Sequence, residues 1–163
     1  MQVAQSLQRV ASRRMADPDR TEINVLVVDD DYDDFRAISR LLSQLDGYSV
    51  KTTRASSGLA ARSGVSTNRF DVVIADYRLG PETGVDVIKS IVRQRPAVAP
   101  ILVSGHLSPE VHTAALKAGA VHCIDKEDLT VTTHEGAIRT AVHAAFWGPS
   151  AGAQAESRSG LLH

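Results

Sequence analysis

The stretch VLVVDDD, residues 25–31, joins a short apolar run to three consecutive aspartates. The stretch VVIAD, residues 72–76, repeats this arrangement and ends at Asp76. Short apolar runs bounded by polar residues predict buried β-strands. If these two strands are parallel neighbours, their carboxyl ends meet at one edge of a sheet. We therefore expect Asp29, Asp30 and Asp76 to lie side by side at that edge.

A cluster of three carboxylates needs a positive partner. Two carboxylates about 5 Å apart repel each other by roughly 3 kcal/mol at an effective dielectric constant of about 20. A hard divalent cation with oxygen ligands offsets this repulsion. The sequence therefore predicts a Mg2+ site formed by Asp29, Asp30 and Asp76, and with it a site for phosphoryl transfer.

The bulk composition narrows the class of protein. Hydrophobic residues make up 43% of the 163 residues, which suits a globular core. The 18 basic and 19 acidic residues give a formal net charge of -1, so overall charge offers no reason to expect a nucleic-acid partner. Cys123 is the only cysteine, which excludes an internal disulfide and favours a reducing compartment.

Membrane and export signals are missing from the pattern of hydrophobic residues. No apolar stretch approaches the roughly 20 residues that a membrane span needs, and the N-terminus lacks an apolar signal core. We therefore predict a cytoplasmic protein that does not bind a membrane.

Strand and helix patterns alternate along most of the chain. Strands are predicted at residues 23–28, 48–53, 71–75, 101–103 and 121–124. Helices are predicted at residues 35–45, 56–65, 85–92, 109–117 and 138–146. This alternation predicts an α/β fold in which helices cover both faces of a doubly wound five-stranded parallel sheet. In such sheets ligands bind beyond the carboxyl ends of the strands.

Capping residues mark several of the predicted helix ends. Ser108 precedes a proline, which is a typical N-cap and first-turn pair, and Gly119 ends the helix that this pair begins. Gly47 stands where a C′ glycine would end the first helix. Thr132 and Glu135 have the spacing of a capping box.

Three segments of the chain are predicted from these boundaries. Residues 1–20 form an N-terminal arm, helical or disordered. Residues 21–147 form the domain that carries the sheet. Residues 148–163 are rich in Gly, Ser and Ala and are predicted to be a disordered tail.

Two further polar residues stand at the ends of later strands. Ser104 follows the strand at 101–103, and Lys126 closely follows the strand at 121–124. The predicted carboxyl edge therefore collects three carboxylates, a hydroxyl group and an ammonium group. Each residue alone is ordinary for a loop, but their joint occurrence at consecutive strand ends indicates a functional site.

This pattern resembles the receiver domain of two-component response regulators over residues 23–147. The resemblance rests on VLVVDD at 25–30, Asp76, the Ser104-Gly105 pair, AGA at 118–120 and Lys126. It implies the flavodoxin-like receiver fold, with the strands of the sheet in the order 2-1-3-4-5.

The resemblance also implies catalytic roles. Asp76 would be the phosphoacceptor, since a carboxylate can attack a phosphohistidine and form an acyl phosphate. Lys126 would neutralise charge on the phosphoryl oxygens. Ser104 would donate a hydrogen bond to the phosphoryl group and move towards it after transfer.

The same resemblance implies the magnesium ligands. Asp30 would bind Mg2+ directly beside Asp76, and Asp29 would assist through water or as a further ligand. The backbone carbonyl of Arg78 would complete the protein's share of the coordination. The bulky side chain of Arg78 would shield the acyl phosphate from water.

Partners follow from the resemblance as well. The phosphoryl donor would be a sensor histidine kinase or a histidine phosphotransfer protein. We expect a stand-alone receiver, which acts by binding an unknown output protein or by passing the phosphoryl group on. Phe146 and Trp147 at the end of the last helix either close the core or form the apolar contact of a homodimer, which the N-terminal arm would extend.

Two positions depart from the usual receiver pattern. Glu127 stands where most receivers have proline after the lysine, and Cys123 stands where a tyrosine or phenylalanine commonly acts as a switch. Without that ring, we expect phosphorylation to be read through residues 104–110 or through the last helix. Gly105 and His106 would border the phosphoryl group and govern access to it.

Other hypotheses stay open beside the leading one. In one, the chain is a degenerate receiver that serves only as a binding module. In the other, it is a phosphatase of the haloacid dehalogenase type in which Asp29 and Asp31 form the D-x-D pair. A flavin site of the flavodoxin type is disfavoured, because three aspartates would repel the cofactor's phosphate. The six histidines form no convincing ligand pair, so we predict no zinc site.

Overall fold

The computed structural model describes residues 19–128, 136–141 and 143 of the chain. Its first strand, β1 (Thr21–Val28), is formed by the apolar run that precedes the aspartates. Each residue from Val25 to Val28 is at most 1% exposed. A strand that is buried on both faces has a continuous apolar sequence rather than an alternating one, which accounts for the VLVV pattern.

Strands and helices then alternate, as predicted. In chain order the further strands are β2 (Tyr48–Ala55), β3 (Val72–Asp76), β4 (Arg78–Leu79), β5 (Glu82–Thr83), β6 (Ala99–Ser104) and β7 (His122–Asp125). The helices are α1 (Tyr32–Ser43), α2 (Gly58–Thr67), α3 (Gly84–Gln94) and α4 (Pro109–Ala118). A 3-10 turn at Lys126–Asp128 follows β7, and residues 136–141 and 143 are helical.

Five of the strands form one parallel sheet in the order β2-β1-β3-β6-β7. The predicted order 2-1-3-4-5 is therefore confirmed, because β6 and β7 are the fourth and fifth strands of this sheet. Val28 lies opposite Ala75, and Asp76 lies opposite Val103. This register brings the ends of β1, β3 and β6 to the same edge of the sheet.

Each face of the sheet has its own aliphatic core. On one face Ile23, Val25 and Val27 pack with α1 and with the helical residues at 136–141. On the other face Leu26 and Val28 pack with α2, α3 and α4. Burial of each large aliphatic side chain contributes about 1.5–3 kcal/mol, so these two layers fix the sheet edge on which the aspartates stand.

The helix ends agree with the capping residues at one helix and differ at another. α4 is capped by Ser108 and ends at Gly119, whose φ of 111° is left-handed, as predicted. The predicted role of Gly47 as the C′ residue of the first helix is wrong. The N–H of Gln44 already closes α1 on the carbonyls of its last turn, and Gly47 takes its φ of 81° in the separate turn before β2.

A short antiparallel hairpin was not predicted. β4 and β5 pair Arg78 with Thr83 between β3 and α3. Thr83 is the N-cap of α3 and forms a reciprocal capping box with Asp86. The hairpin therefore returns the chain from the end of β3 into α3 in very few residues.

Several predictions lie outside the described residues. They are residues 1–18 of the arm, the capping box of Thr132 and Glu135, the pair Phe146 and Trp147, and the tail at 148–163. Within the part of the chain that the structure describes, no helix is both long and apolar enough to cross a lipid bilayer.

Candidate functional site

Three aspartates meet at the carboxyl edge of the sheet. One carboxylate oxygen from each of Asp29, Asp30 and Asp76 lies within 4.8 Å of the others. Asp29 and Asp30 follow β1, and Asp76 ends β3. The cluster that the sequence predicted is therefore present, because parallel pairing of β1 with β3 places their last residues side by side.

Asp29 is the most buried member of this cluster, with no exposed surface. Its Oδ1 accepts the backbone N–H of Asp31 at 2.9 Å, while its buried Oδ2 has no hydrogen-bond donor. Burial is the main reason that the pKa of Asp29 is raised to about 6. The hydrogen bond from the Asp31 N–H lowers the pKa, and the charge of Asp76 raises it. Such an oxygen is well matched to a cation.

The donor set fits a hard divalent ion such as Mg2+. Asp29, Asp30 and Asp76 offer only carboxylate oxygens, which Mg2+ and Ca2+ prefer over nitrogen or sulfur ligands. The buried Oδ2 of Asp29 accepts no hydrogen bond, and Lys126 Nζ lies 3.7 Å from it. A metal ion would satisfy this oxygen. The aspartate cluster can therefore hold a divalent metal.

Asp76 opens into a surface pocket of about 390 Å³. Its side chain is 10% exposed. Burial raises the pKa of Asp76, while the charge and hydrogen bond of Lys126 and the backbone N–H of Arg78 act in the opposite direction. The carboxylate is therefore sheltered yet reachable. The pocket is lined by Asp76, Tyr77, Arg78, Ser104, Gly105, His106, Ser108, Val111 and Lys126.

Gly84 supports Asp76 from behind, and the sequence analysis missed it. Its N–H donates to the carbonyl of Tyr77 at 2.8 Å. A Cβ atom at Gly84 would lie 2.3 Å from the carbonyl oxygen of Asp76 and 2.9 Å from Leu102. Only glycine fits this close approach of α3 to the end of β3. The sequence signal was a glycine at the start of a strongly periodic helix.

Lys126 reaches three carboxylates at once. Its Nζ lies 2.5 Å from Asp34, 3.3 Å from Asp76 and 3.7 Å from Asp29. Burial would lower the pKa of Lys126, but the hydrogen bond to Asp34 and the charges of Asp76, Asp29 and Asp34 outweigh it and raise the pKa. Lys126 was predicted from the sequence and Asp34 was not, because an acidic residue in the first turn of a helix is ordinary.

Ser104 lies in the pocket but is bonded to its own loop. Its hydroxyl donates to the carbonyl of His106 at 2.9 Å and accepts the N–H of His106 at 3.2 Å. Ser104 is 2% exposed, whereas Gly105 and His106 are exposed. The predicted hydroxyl therefore stands at the site, with its proton directed to the loop and not to Asp76.

The loop after β7 closes without a proline. Asp125 accepts the N–H of Glu127 through Oδ1 at 2.9 Å and the N–H of Leu107 through Oδ2 at 3.2 Å. These two backbone hydrogen bonds lower the pKa of Asp125. The carboxylate ties the loop of residues 105–107 to the turn that carries Lys126, so Glu127 contributes through its backbone.

Cys123 does not line the pocket. It packs against the apolar core on the face of α4, and burial raises the pKa of its thiol. The side chain at the predicted switch position is therefore small, half-buried and protonated at neutral pH.

Arg54 was also missed by the sequence analysis. Its Nη2 donates to the backbone carbonyl of Asp30 at 2.9 Å, and its guanidinium lies 5.5 Å from the ring centre of Tyr32. These contacts tie the β1–α1 loop to the end of β2. Within residues 19–128, 136–141 and 143, the aspartate cluster is the only group of three or more possible metal ligands, and no histidine belongs to it.

Comparisons with known proteins point to one family. The family model of the response regulator receiver domain matches residues 25–134. The transcriptional regulatory protein ZraR of Salmonella typhimurium is 33% identical over 107 residues, which are 66% of this chain and 24% of that protein. The chain spans about a quarter of the length of the curated relatives it matches.

Solved structures agree with this assignment. A response regulator receiver domain protein from Clostridium thermocellum is 31% identical, with a TM-score of 0.62 over 74% of this chain and 94% of that chain. The beryllofluoride-activated NtrC4 receiver domain dimer is 27% identical, with a TM-score of 0.66 over 75% of this chain and 98% of that chain. The family model covers more than half of the sequence, and the chain belongs to the response regulator receiver domain family.

Proposed function

We propose that this chain is a phosphorylatable receiver that accepts a phosphoryl group on Asp76 with the help of Mg2+. One observation carries the proposal. Asp76 opens into the pocket with Lys126 Nζ at 3.3 Å, and oxygens of Asp29 and Asp30 lie within 4.8 Å of its own. The nucleophile, a cation for the transferred group and a set of metal ligands therefore share one site.

The reaction is an attack of the Asp76 carboxylate oxygen on the phosphorus of a phosphohistidine. The new O–P bond forms as the P–N bond breaks, and the imidazole of the donor leaves with the electron pair. The donor's own group-transfer potential drives this step, so the chain has to supply positioning and charge neutralisation. Lys126 offers an ammonium to the phosphoryl oxygens, and Mg2+ bound by the aspartates would add charge neutralisation there.

The remaining pocket residues take the supporting roles in this proposal. Ser104 exchanges its bond to His106 for a hydrogen bond to the phosphoryl group. Arg78, exposed at the rim of the pocket, shields the acyl phosphate from water. An Arg78→Ala variant with an unchanged dephosphorylation rate would remove this role. The backbone carbonyl of Arg78 would offer a further oxygen ligand to a metal held by the aspartates.

A phosphatase that uses Asp29 as its nucleophile is a weaker hypothesis. Asp29 has no exposed surface and does not line the pocket. Asp31, the second member of the D-x-D pair, caps α1 by accepting the N–H groups of Asp33 and Asp34. Both carboxylates therefore already have a structural partner, and Asp76 is the aspartate with access to a substrate.

The donor would be a sensor histidine kinase or a histidine phosphotransfer protein in the cytoplasm. The output would be a change in binding to a partner protein. The curated relatives are regulatory proteins several times longer than the matched region. One of the similar solved structures is described as a dimer. Size-exclusion chromatography with and without beryllofluoride would test whether this chain also forms a homodimer.

Intact-mass measurement after incubation with Mg2+ and acetyl phosphate tests the proposal. We expect the wild-type chain to gain one phosphoryl group and an Asp76→Asn variant to gain none. An Asp29→Asn variant should still be labelled, more slowly. Labelling that depends on Asp29 and survives in Asp76→Asn would favour the phosphatase. Absence of labelling in the wild type would favour a degenerate receiver that only binds partners.

A further inference from the structure

The ammonium group of Lys126 is shared unequally among three carboxylates. It lies nearest to Asp34 at 2.5 Å, and its distances to Asp76 and Asp29 are 3.3 Å and 3.7 Å. Asp34 belongs to the first turn of α1 and is separated from Lys126 by 92 positions in the sequence. The shortest ion pair at the site therefore links β7 to α1, not to the proposed phosphoacceptor.

The three carboxylates differ in their contact with water. The side chain of Asp34 is 44% exposed, whereas those of Asp76 and Asp29 are 10% and 0% exposed. Water can solvate Asp34 when it has no ammonium partner, so release of Lys126 from this carboxylate costs little free energy. The two buried carboxylates lack this alternative.

Phosphorylation would change the balance between these partners. A phosphoryl group carries a charge of about -1.5 to -2 at neutral pH, against -1 for a carboxylate. It would also extend from Asp76 into the pocket that Lys126 lines. The phosphoryl oxygens would then attract the ammonium more strongly than Asp34 does, because charge-assisted hydrogen bonds strengthen with the charge of the acceptor.

We propose that Asp34 is a positioning residue that holds Lys126 in the unphosphorylated state and competes with the phosphoryl group for it. This inference rests on the proposed function of Asp76. Phosphorylation transfers the ammonium from α1 to the phosphoryl group and leaves the Asp34 carboxylate free on the surface. The first turn of α1 thereby loses the cation that neutralises Asp34. This change in surface charge supplies a readout in a chain that has Cys123 where a switch aromatic is expected.

Asp33 offers a matched control for this inference. It lies in the same first turn of α1 and carries the same charge, and it is exposed. Its substitution therefore has a similar effect on net charge and on the helix dipole. The ion pairs of Lys126 within 4.0 Å are with Asp34, Asp76 and Asp29, and Asp33 is not among them.

Titration calorimetry on the full chain tests the competition. Mg2+ alone is titrated first, and beryllofluoride is then titrated with saturating Mg2+. We expect Asp34→Asn to bind beryllofluoride roughly threefold to tenfold more tightly than the wild type, the value of one charged hydrogen bond at a partly exposed site. Its affinity for Mg2+ alone should be equal or weaker, because the freed Lys126 moves closer to the aspartates.

The control variants make the outcome specific. Asp33→Asn should bind beryllofluoride as the wild type does, and Asp34→Glu should recover most of the wild-type affinity. A merely structural role of Asp34 would weaken both affinities together, so tighter binding of beryllofluoride without tighter binding of Mg2+ identifies competition. NMR of the wild type should also show the amide signals of Asp33 and Asp34 shifting when beryllofluoride binds.

The inference and the proposed function fail in different ways. If the wild type neither gains a phosphoryl group nor binds beryllofluoride, the proposed function is wrong and the inference falls with it. If the wild type binds beryllofluoride but Asp34→Asn matches Asp33→Asn, only the competition is wrong. If Asp34→Asn does not fold, Asp34→Ser and the NMR shifts of the wild type decide the question by the same criteria.

Discussion

The two sides of the candidate site differ in how their polar groups are satisfied. On the aspartate side, at the ends of β1 and β3, backbone N–H groups of Asp31 and Arg78 bond to the carboxylates of Asp29 and Asp76. On the opposite side, at the ends of β6 and β7, Ser104 bonds to the carbonyl of His106, and Lys126 lies nearest to Asp34.

Because of this difference, the carboxylates are already in place for metal binding, whereas the hydroxyl and ammonium groups have other partners. Asp29 and Asp76, two of the three carboxylates that can hold a metal, are fixed by strand ends and backbone donors, so they need little rearrangement. The hydroxyl of Ser104 must leave the carbonyl of His106 before it can donate to a phosphoryl group on Asp76. The ammonium of Lys126 already lies 3.3 Å from Asp76 but is shared with Asp34. Phosphorylation would therefore first displace polar groups on the side of β6 and β7.

Removal of the ammonium should have the largest effect on the side that moves. We expect Lys126→Ala to slow labelling by acetyl phosphate by about 10²-fold or more, the usual cost of losing one group that stabilises transferred charge. Mg2+ should still bind, because all three aspartates remain. The labelling rate at saturating Mg2+, with Asp76→Asn as the background, measures this effect. A decrease of less than about threefold would contradict the role of Lys126.

The aspartate side can be tested through the pH dependence of stability. The pKa of Asp29 rises from 3.8 in an unfolded chain to about 6 in the folded protein. The folded protein therefore binds a proton more strongly, and the metal-free wild type should lose stability as the pH rises from about 4 through 6. The loss should be on the order of 2–3 kcal/mol, since each pKa unit corresponds to about 1.4 kcal/mol.

Asp29→Asn should remove the part of this pH dependence that Asp29 contributes, and the raised pKa of Asp76 should leave a remainder. The amide keeps an oxygen for the N–H of Asp31 and carries no charge, so the metal-free variant should be more stable than the wild type at neutral pH. Urea unfolding at several pH values, with and without Mg2+, provides the measurement. Equal stability of the two proteins at neutral pH without metal would show that the ionised carboxylate of Asp29 does not destabilise the folded protein.

The support beneath Asp76 should give a smaller effect. Gly84→Ala places a Cβ atom 2.3 Å from the carbonyl of Asp76, so the end of β3 or the start of α3 must shift. We expect a destabilisation of about 1–3 kcal/mol in urea unfolding, together with slower labelling of Asp76. Gly105→Ala, which meets nothing within 4 Å, is the stability control. Similar unfolding midpoints for both variants would argue against the close approach.

The loop hydroxyl should give the smallest effect. Ser104→Ala removes a proposed hydrogen bond to the phosphoryl group, and we expect beryllofluoride to bind roughly threefold to tenfold more weakly. Affinity for Mg2+ alone should not change, because Ser104 does not belong to the aspartate cluster. Calorimetric titration of both ligands separates the two sides. An equal loss of both affinities would indicate that the loop also supports the metal ligands.

Much of this molecule could be predicted from its sequence. The apolar runs before Asp29 and Asp76 identify two buried strands, and the alternation of strands and helices gives the parallel sheet. Parallel strands then bring their carboxyl ends to one edge, so the aspartates, Ser104 and Lys126 were all found. These inferences hold because a strand that is buried on both faces has a continuous run of apolar residues, and because sheet topology follows general rules.

Only the tertiary structure revealed which residues these side chains contact. The contact of Lys126 with Asp34 spans 92 positions, the bond of Arg54 to the carbonyl of Asp30 spans 24, and Gly84 touches the backbone of Asp76 across the hairpin. Such contacts depend on how each helix is rotated and placed against the sheet. That placement is set by packing of the whole core, and no local pattern of the sequence contains it.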